Sequence, residues 1–198
     1  GYSDEVRYTD GKENPKGNSA CGKPDLNEAA LVSINPEYQF WLSVPGTEID
    51  YPVVRHEDNE YYLNHNFYQE QHISGCVFAD SSAVPLAVDN TVLYGHNMKD
   101  GSMFADLKKY GEEALQVFYR GKWLECPIFS CQLRHQSDAG AYGTNFMEEE
   151  WLPYLEKMGA ASLYETGIIP EGDEKLITLS TCYGKDQYLI VQALLHGM

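Results

Sequence analysis

Apolar residues alternate with polar or small residues in a series of short segments, which is the period-two pattern of β-strands. Turn-forming pairs such as Pro45-Gly46 separate some of these segments. Strands are predicted at 40–44, 49–55, 74–79, 91–95, 116–120, 123–133, 175–182 and 187–195. The pattern therefore predicts a mainly β protein.

Helical periodicity appears in fewer places. The segment 25–34 carries apolar residues at helical spacing and is followed by Pro36, which cannot continue a helix. A shorter helix is predicted at 103–110. A longer amphipathic segment begins at Asn145 and places four apolar residues on one face: Phe146, Leu152, Leu155 and Met158. The helices are thus expected to be peripheral to the strands.

The length of 198 residues predicts one domain that is large enough to bury a real core. Residues 1–24 are polar and rich in Gly, Asn, Pro and Lys, which indicates a flexible leader or linker. Residues 25–198 form the predicted single domain. No run of 18 or more apolar residues occurs, so no membrane-spanning helix is predicted in this chain.

The charge of the chain limits its partners. It has 30 acidic against 14 basic residues and a formal net charge of −16. Phosphate contacts need concentrated lysine and arginine, so nucleic-acid binding is not expected. A peripheral basic membrane surface is excluded on the same ground.

Five cysteines stand at positions 21, 76, 126, 131 and 182, without a CxxC pair that would indicate a zinc site. Cys126 and Cys131 are five apart in one predicted strand, so they should face opposite sides and not form a disulfide. Cys76, Cys126 and Cys131 are expected to be buried core residues. No acidic cluster has the spacing of a calcium loop, so neither a metal nor a cofactor is predicted.

Cys182 stands at the end of the predicted strand 175–182, directly before the polar turn 183–186. A rigid strand can aim a side chain while the adjoining loop leaves it open to substrate, which suits a nucleophile. A free thiol has a pKa of about 8.5, so little of it is thiolate at neutral pH. A catalytic role therefore requires a basic partner, and the alternative is a buried structural thiol.

His96 has the setting that such a partner needs. It follows the short apolar strand 91–95 and precedes the polar loop 97–101, so it also lies at a junction of strand and loop. A histidine beside a thiol can accept its proton or stabilise the thiolate as a cation. The alternative is a loop histidine with no catalytic role. The other five histidines are expected in loops or on the surface and show no metal-ligand spacing.

Three motifs in this order resemble the sortases of Gram-positive bacteria: WLSVPGTEIDYPVV at 41–54, YGHNM at 94–98 and TLSTC at 178–182. The segment 58–64 and the helix inserted before TLSTC are similar to class B members. The resemblance covers roughly residues 30–195. It implies a closed β-barrel of about eight strands, with an N-terminal helix and a long helix inserted before the strand that ends at Cys182.

The resemblance also implies a reaction. Cys182 would attack a peptide bond in the C-terminal sorting signal of a secreted protein and form a thioester. His96 would protonate the leaving amine and deprotonate an incoming amine from a cell-wall precursor or a pilin lysine. Surface-protein anchoring and pilus assembly are both compatible with this pattern. Sortases act on the extracellular face of the cell membrane, so an anchor upstream of this chain is expected.

The third residue of the sortase site is an arginine at the start of the strand after the cysteine. Alignment on the apolar run 189–191 puts Gln187 at that position, and no arginine follows Arg134. Glutamine can donate a hydrogen bond but carries no charge. Three interpretations stay open: Gln187 suffices with lower activity, Lys185 supplies the charge, or the chain is a weak or inactive homologue.

Three further residues near the motifs are candidates for the substrate groove, with simple packing as the alternative role: Tyr94, Ser180 and Thr181. The Gln187 position keeps a second function open, in which a catalytically impaired protein binds a sorting peptide or a pilin. A third option is a plain cysteine peptidase that ends in hydrolysis.

Overall fold

The computed structural model describes residues 23–109 and 114–197, and eight strands form a closed barrel in the order β1-β2-β3-β4-β7-β8-β6-β5. The strands are β1 (Tyr38–Ser43), β2 (Asp50–Val54), β3 (Val77–Ala79), β4 (Asn90–Tyr94), β5 (Ala114–Tyr119), β6 (Lys122–His135), β7 (Lys175–Tyr183) and β8 (Gln187–Leu195). The prediction of a closed eight-stranded β-barrel with peripheral helices is confirmed.

Two α-helices are present in the described part of the chain: α1 (Glu28–Ile34) and α2 (Glu148–Ala160). The side chain of Asn27 caps α1 by accepting the Ala30 N–H at 3.1 Å. The acidic first turn of α2 lies where the helix dipole favours negative charge. Neither helix is long and apolar enough to cross a membrane, and the same holds for every other helix among the described residues.

Apolar side chains pack in three clusters. The largest fills the barrel and includes Leu93, Leu179 and Val191, all without exposed surface. A second cluster lies outside the barrel beside Leu31 of α1, and a third lies outside it beside Leu155 of α2. Both faces of many strands are therefore buried, because the helices cover parts of the outer surface.

The inner face of α2 differs from the predicted stripe by one position. Trp151, Leu155 and Met158 are its buried residues, whereas Leu152 is half-buried. The Trp151 indole N–H donates to the Glu174 carbonyl at 2.9 Å. An aromatic ring with one polar atom can be buried when that atom is satisfied, which the apolar pattern alone did not show.

The prediction that Cys126 and Cys131 face opposite sides of their strand was wrong. Both are buried in the cluster that fills the barrel, and both are free thiols. The register of β6 against β8 shifts between Ile128 and Ser130. Such a bulge adds one residue to the strand, which reverses the side to which every later residue points.

Two predictions fall partly outside the described residues. The leader was predicted over 1–24, and residues 1–22 lie outside the described part of the chain. The helix predicted over 103–110 is a 3-10 helix at Ala105–Lys109, and its last predicted residue lies outside the described part.

The order of strands brings the two chemical motifs together. β4 and β7 are parallel neighbours in which Tyr94 pairs with Ser180. Parallel neighbours end at the same rim of a sheet, so the residues that follow β4 meet the last residues of β7. Side chains alternate between the two faces, and Tyr94, Ser180 and Cys182 share the outer face of the barrel.

Candidate active site

Three hydrogen bonds join the segment after β4 to the end of β7. The Gly95 N–H donates to the Ser180 carbonyl at 3.3 Å. The Thr181 hydroxyl donates to the Gly95 carbonyl at 2.7 Å, and the Asn97 side-chain amide donates to the Cys182 carbonyl at 2.9 Å. These bonds fix the backbone of His96 relative to the backbone of Cys182.

Cys182 and His96 line one groove of about 350 Å³ on the outer face of the barrel. Cys182 is exposed, and its sulfur makes no hydrogen bond to the described residues. The remaining lining is mostly aromatic or uncharged: Asn59, Leu63, Phe78, Tyr94, Gly95, Tyr142, Ser180, Thr181 and Tyr188. The predicted groove residues Tyr94, Ser180 and Thr181 are therefore all part of its wall.

The His96 ring is oriented by one hydrogen bond. Its Nε2 lies 2.7 Å from the carbonyl oxygen of Leu63, in the segment that precedes β3. A carbonyl only accepts hydrogen bonds, so Nε2 carries the hydrogen. Nδ1 has no hydrogen-bond partner among the described residues, and it is thus the ring nitrogen that is free to exchange a proton.

Gly95 is required by close packing beneath His96. A Cβ atom at this position would lie 2.8 Å from the ring of Phe104. Phe104 is fully buried in the barrel, and its N–H donates to the His96 carbonyl at 2.9 Å. The buried ring therefore supports the backbone that carries the histidine.

A hydrogen-bonded acid lies beneath Tyr94. The Tyr94 hydroxyl donates to Asp80 Oδ2 at 2.9 Å, and the Asn59 amide donates to the same oxygen at 3.0 Å. Burial, followed by the negative charge of Asp80, raises the pKa of Tyr94 well above its usual range. Burial alone would raise the pKa of Asp80, but hydrogen bonds from Ser82, Tyr94 and Asn59 outweigh it and lower that pKa. Tyr94 is thus a neutral, fixed wall of the groove.

The residue opposite Cys182 is Tyr188, not Gln187. In the β7–β8 register Cys182 pairs with Tyr188, and Tyr183 pairs with Gln187. Directly opposed residues share a face of the sheet, so Tyr188 lines the groove while Gln187 is exposed outside it. Lys185 is likewise exposed in the turn and not part of the groove wall. One residue along a strand reverses the face, so Gln187 does not line the groove although its neighbour Tyr188 does.

The comparison with known families agrees with this geometry. The Sortase domain family model matches residues 42–196, which is most of the chain and includes both motifs.

The chain belongs to the sortase family.

Sortase B of Listeria monocytogenes is 36% identical over 166 residues, covering 80% of this chain and 68% of that protein. Sortase B of Staphylococcus aureus is 26% identical over 163 residues, covering 77% of this chain and 66% of that protein. The X-ray structure of Clostridium perfringens sortase B has a TM-score of 0.81 at 33% identity, covering 86% of this chain and all of that one. The predicted resemblance to class B sortases is confirmed. As a member of this family of cell-surface enzymes, the chain is a cysteine transpeptidase.

Tyr142 is a residue of the sortase groove that the sequence did not indicate. Its hydroxyl lies 2.9 Å from the Ser180 hydroxyl, and its ring centroid lies 6.2 Å from that of Tyr94. Burial raises the pKa of Tyr142, so its phenol stays neutral. It lies in the loop between β6 and α2, where no periodic pattern marks a residue as part of a site.

Three side chains of metal-ligating type stand close together away from the groove wall. Asp173, Glu174 and His196 offer ligand atoms within 4.8 Å of one another. The Glu174 carboxylate is already occupied, since it accepts the N–H groups of Glu171 and Gly172 at 2.8 and 2.7 Å. None of the three residues lines the groove that contains Cys182.

Proposed function

We propose that this sortase cleaves a C-terminal sorting signal of a secreted protein through a thioester on Cys182 and transfers the acyl group to an amine. The observation that supports this function is the shared groove: an exposed thiol and a histidine with one free nitrogen stand on neighbouring strand ends. Thiol and imidazole in one accessible groove are the two groups that acyl transfer requires.

In the first half-reaction, Cys182 has given its proton to His96, and as a thiolate it adds to the carbonyl carbon of the scissile peptide bond. A carbon–sulfur bond forms and the carbonyl electron pair moves onto oxygen. When the carbonyl re-forms, the carbon–nitrogen bond breaks and the leaving amine takes a proton from His96. The free Nδ1 is the atom of His96 that can deliver this proton, since Nε2 is bonded to Leu63.

In the second half-reaction, an amine enters and attacks the thioester carbon. His96, now neutral, accepts the amine proton, and the Cys182 thiolate departs as the new amide forms. This sequence returns both residues to their starting protonation states. The acceptor is an amine of a cell-wall precursor or a lysine of a pilin, which places the enzyme in surface-protein anchoring or in pilus assembly.

The groove fits an extended, uncharged peptide segment. Its wall consists largely of aromatic and apolar side chains, including Phe78, Tyr94 and Leu63. Aromatic walls contribute apolar contact and fixed shape without a requirement for charge. We place the enzyme on the extracellular face of the membrane, held there by a membrane anchor outside residues 1–198.

A binding module is the second candidate. Among the described residues that line the groove, His96 is the one side chain with a cationic form, so no arginine faces the substrate carbonyl. Without a charged donor the protein could retain a peptide without cleaving it. This candidate predicts peptide binding and no covalent intermediate.

Mass spectrometry of the enzyme with a library of sorting peptides and an added amine tests the proposal. The expected result is a thioester on Cys182 and an amide product that contains the added amine. Peptide binding without a thioester would indicate the binding module. A hydrolysed product that ignores the amine would indicate a plain cysteine peptidase.

The matched variant is His96→Gln, which retains a side-chain amide but cannot accept and return a proton. It should lower the rate of amide formation by about 10²–10⁴-fold, the usual contribution of general acid–base catalysis. An unchanged rate in this variant would remove His96 from the mechanism.

A further inference from the structure

Attack by a thiolate on a peptide carbonyl places a negative charge on the carbonyl oxygen. A hydrogen-bond donor aimed at that oxygen stabilises the transition state, and the loss of one donor typically costs about 10²–10³-fold in rate. The groove of this sortase must contain such a donor within reach of Cys182, and the following inference rests on the proposed function of that groove.

The strand register places one side chain directly beside the nucleophile. Tyr188 of β8 is the cross-strand partner of Cys182 of β7, and both line the groove. Opposed residues on one face of an antiparallel pair have their Cβ atoms about 4.5–5.5 Å apart. A phenol at that position therefore lies in the same groove as the sulfur, on the strand next to the one that carries it.

The hydroxyl groups of the groove differ in what they already bond. Those of Tyr94 and Thr181 donate to Asp80 and to the Gly95 carbonyl, respectively. The hydroxyls of Tyr142 and Ser180 bond each other. Tyr188 is half-buried, and its hydroxyl has no hydrogen-bond partner among residues 23–109 and 114–197.

An arginine also lies beside Tyr188, but it is not free to donate a hydrogen bond to an oxyanion in the groove. Arg134 of β6 is the second cross-strand partner of Tyr188. Its guanidinium donates to Asp138 Oδ2 and to Gln132 Oε1, each at 2.7 Å, and its side chain is 10% exposed. This largely buried guanidinium would have to break both hydrogen bonds in order to reach the groove.

We propose that the Tyr188 hydroxyl donates the hydrogen bond that stabilises the oxyanion in this enzyme. It is a neutral donor in place of the arginine of the sortase pattern. When the Cys182 sulfur bonds to the carbonyl carbon, the oxygen that gains the electron pair accepts a hydrogen bond from the phenol. The phenol keeps its proton throughout. When the carbonyl re-forms, the leaving amine takes its proton from His96, and the bond to Tyr188 weakens again.

Tyr188→Phe tests the role, because it removes the donor and keeps the ring in the groove wall. Thioester formation should fall about 10²–10³-fold, with KM changed by less than about twofold, since the bond strengthens only in the transition state. Tyr183→Phe is the matched control: Tyr183 is exposed on the other face of β7, so the same chemical change there should leave the rate unaltered.

Alkylation by iodoacetamide distinguishes an effect of Tyr188 on the oxyanion from an effect on the reactivity of the thiol. That reaction displaces iodide at a saturated carbon and forms no oxyanion, so Tyr188→Phe should alkylate at Cys182 at the wild-type rate. An equal fall in alkylation and acylation would assign Tyr188 an effect on the thiol and overturn the proposal. Thioester formation at the wild-type rate in Tyr188→Phe would overturn it as well.

Different results would contradict the proposed function and the role of Tyr188. If the wild-type enzyme forms no thioester with any sorting peptide, the proposed function falls and the oxyanion role falls with it. If the wild-type enzyme forms the thioester and Tyr188→Phe does so equally fast, only the role of Tyr188 is lost. Unchanged thermal unfolding of Tyr188→Phe confirms that the comparison is between two folded enzymes.

Discussion

The two faces of β7 have the same backbone and opposite properties. On the inner face Ile177 and Leu179 are fully buried in the apolar cluster that fills the barrel. On the outer face stand Thr178, Ser180 and Cys182, which carry hydroxyl or thiol groups. Alternation along one strand thus separates the residues that stabilise the barrel from the residues that do the chemistry.

The exposure of the outer-face side chains increases along β7 toward the groove. Thr178 is fully buried; its hydroxyl donates to Asn90 Oδ1 at 2.7 Å and accepts the Gln192 amide at 3.1 Å. Two residues on, Ser180 is 3% exposed and bonds Tyr142, and two further on, Cys182 is exposed. Each polar group is satisfied until the strand reaches the groove, where the thiol is left free to react.

The comparison teaches that stability and reactivity can be changed separately in this sortase. Inward substitutions should change the free energy of unfolding and leave the chemistry of folded molecules intact. Substitutions of exposed outer-face residues in the groove should lower activity and leave the free energy of unfolding nearly unchanged. Cys182→Ala and Leu179→Ala test that division directly, whereas Asn90 and Tyr94 test buried polar groups of the outer face, which should contribute to stability as well.

Cys182→Ala should have the largest effect. Transpeptidation of a sorting peptide should fall by at least about 10³-fold, because no other group can form the thioester. The exposed thiol buries little surface, so the melting temperature should stay within about 1 °C of the wild type. Peptide turnover and thermal unfolding measure the two quantities. A large loss of stability would show that Cys182 also supports the fold.

Leu179→Ala tests the inner face. It removes a fully buried side chain between Leu93 and Val191, which should lower the free energy of unfolding by about 2–5 kcal/mol. Urea denaturation measures this loss. Activity per folded molecule at a permissive temperature should remain near that of the wild type, and a specific loss of activity would break the proposed separation of the two faces.

Asn90→Ala tests the buried polar end of the outer face. Asn90 accepts from Thr178 and donates to the carbonyls of Ala141 and Gly143 at 3.1 and 2.8 Å. Its loss leaves these buried groups unsatisfied, which should cost about 1–3 kcal/mol in unfolding free energy.

The same substitution should also reach the groove, since Ala141 and Gly143 flank Tyr142. KM for the peptide should therefore rise along with the loss of stability. Thr178→Val, which removes only the hydroxyl, is the matched control for the effect on the loop. Equal KM values in Asn90→Ala and wild type would show that Tyr142 is held by other contacts.

High pH should produce the smallest effect. Burial, and then the charge of Asp80, raises the pKa of Tyr94 above the ordinary tyrosine value. A raised folded-state pKa contributes stability that is present below the unfolded pKa and is lost as pH rises. The unfolding free energy should therefore decline above about pH 10, by about 1 kcal/mol per pH unit for one such group. Denaturation of wild type and Tyr94→Phe between pH 8 and 11 measures it, and parallel curves would contradict the assignment to Tyr94.

Much of the fold follows from local pattern. The alternation at 175–182 and 187–195 predicted β7 and β8 to within a residue or two, because each strand's side chains must suit one inner and one outer face. The junction of strand and loop at Cys182 and at His96 was visible for the same reason. The prediction of a closed barrel came from the resemblance of three motifs to one family.

Register and long-range contact were decided only by the folded chain. The sequence pointed to Gln187, whereas the pairing of β7 with β8 puts Tyr188 opposite Cys182, since a shift of one residue changes the face. Tyr142 reaches Ser180 across 38 residues of sequence through a loop without periodicity. Local pattern reports which face a residue prefers, whereas the neighbours on that face depend on how distant segments pack.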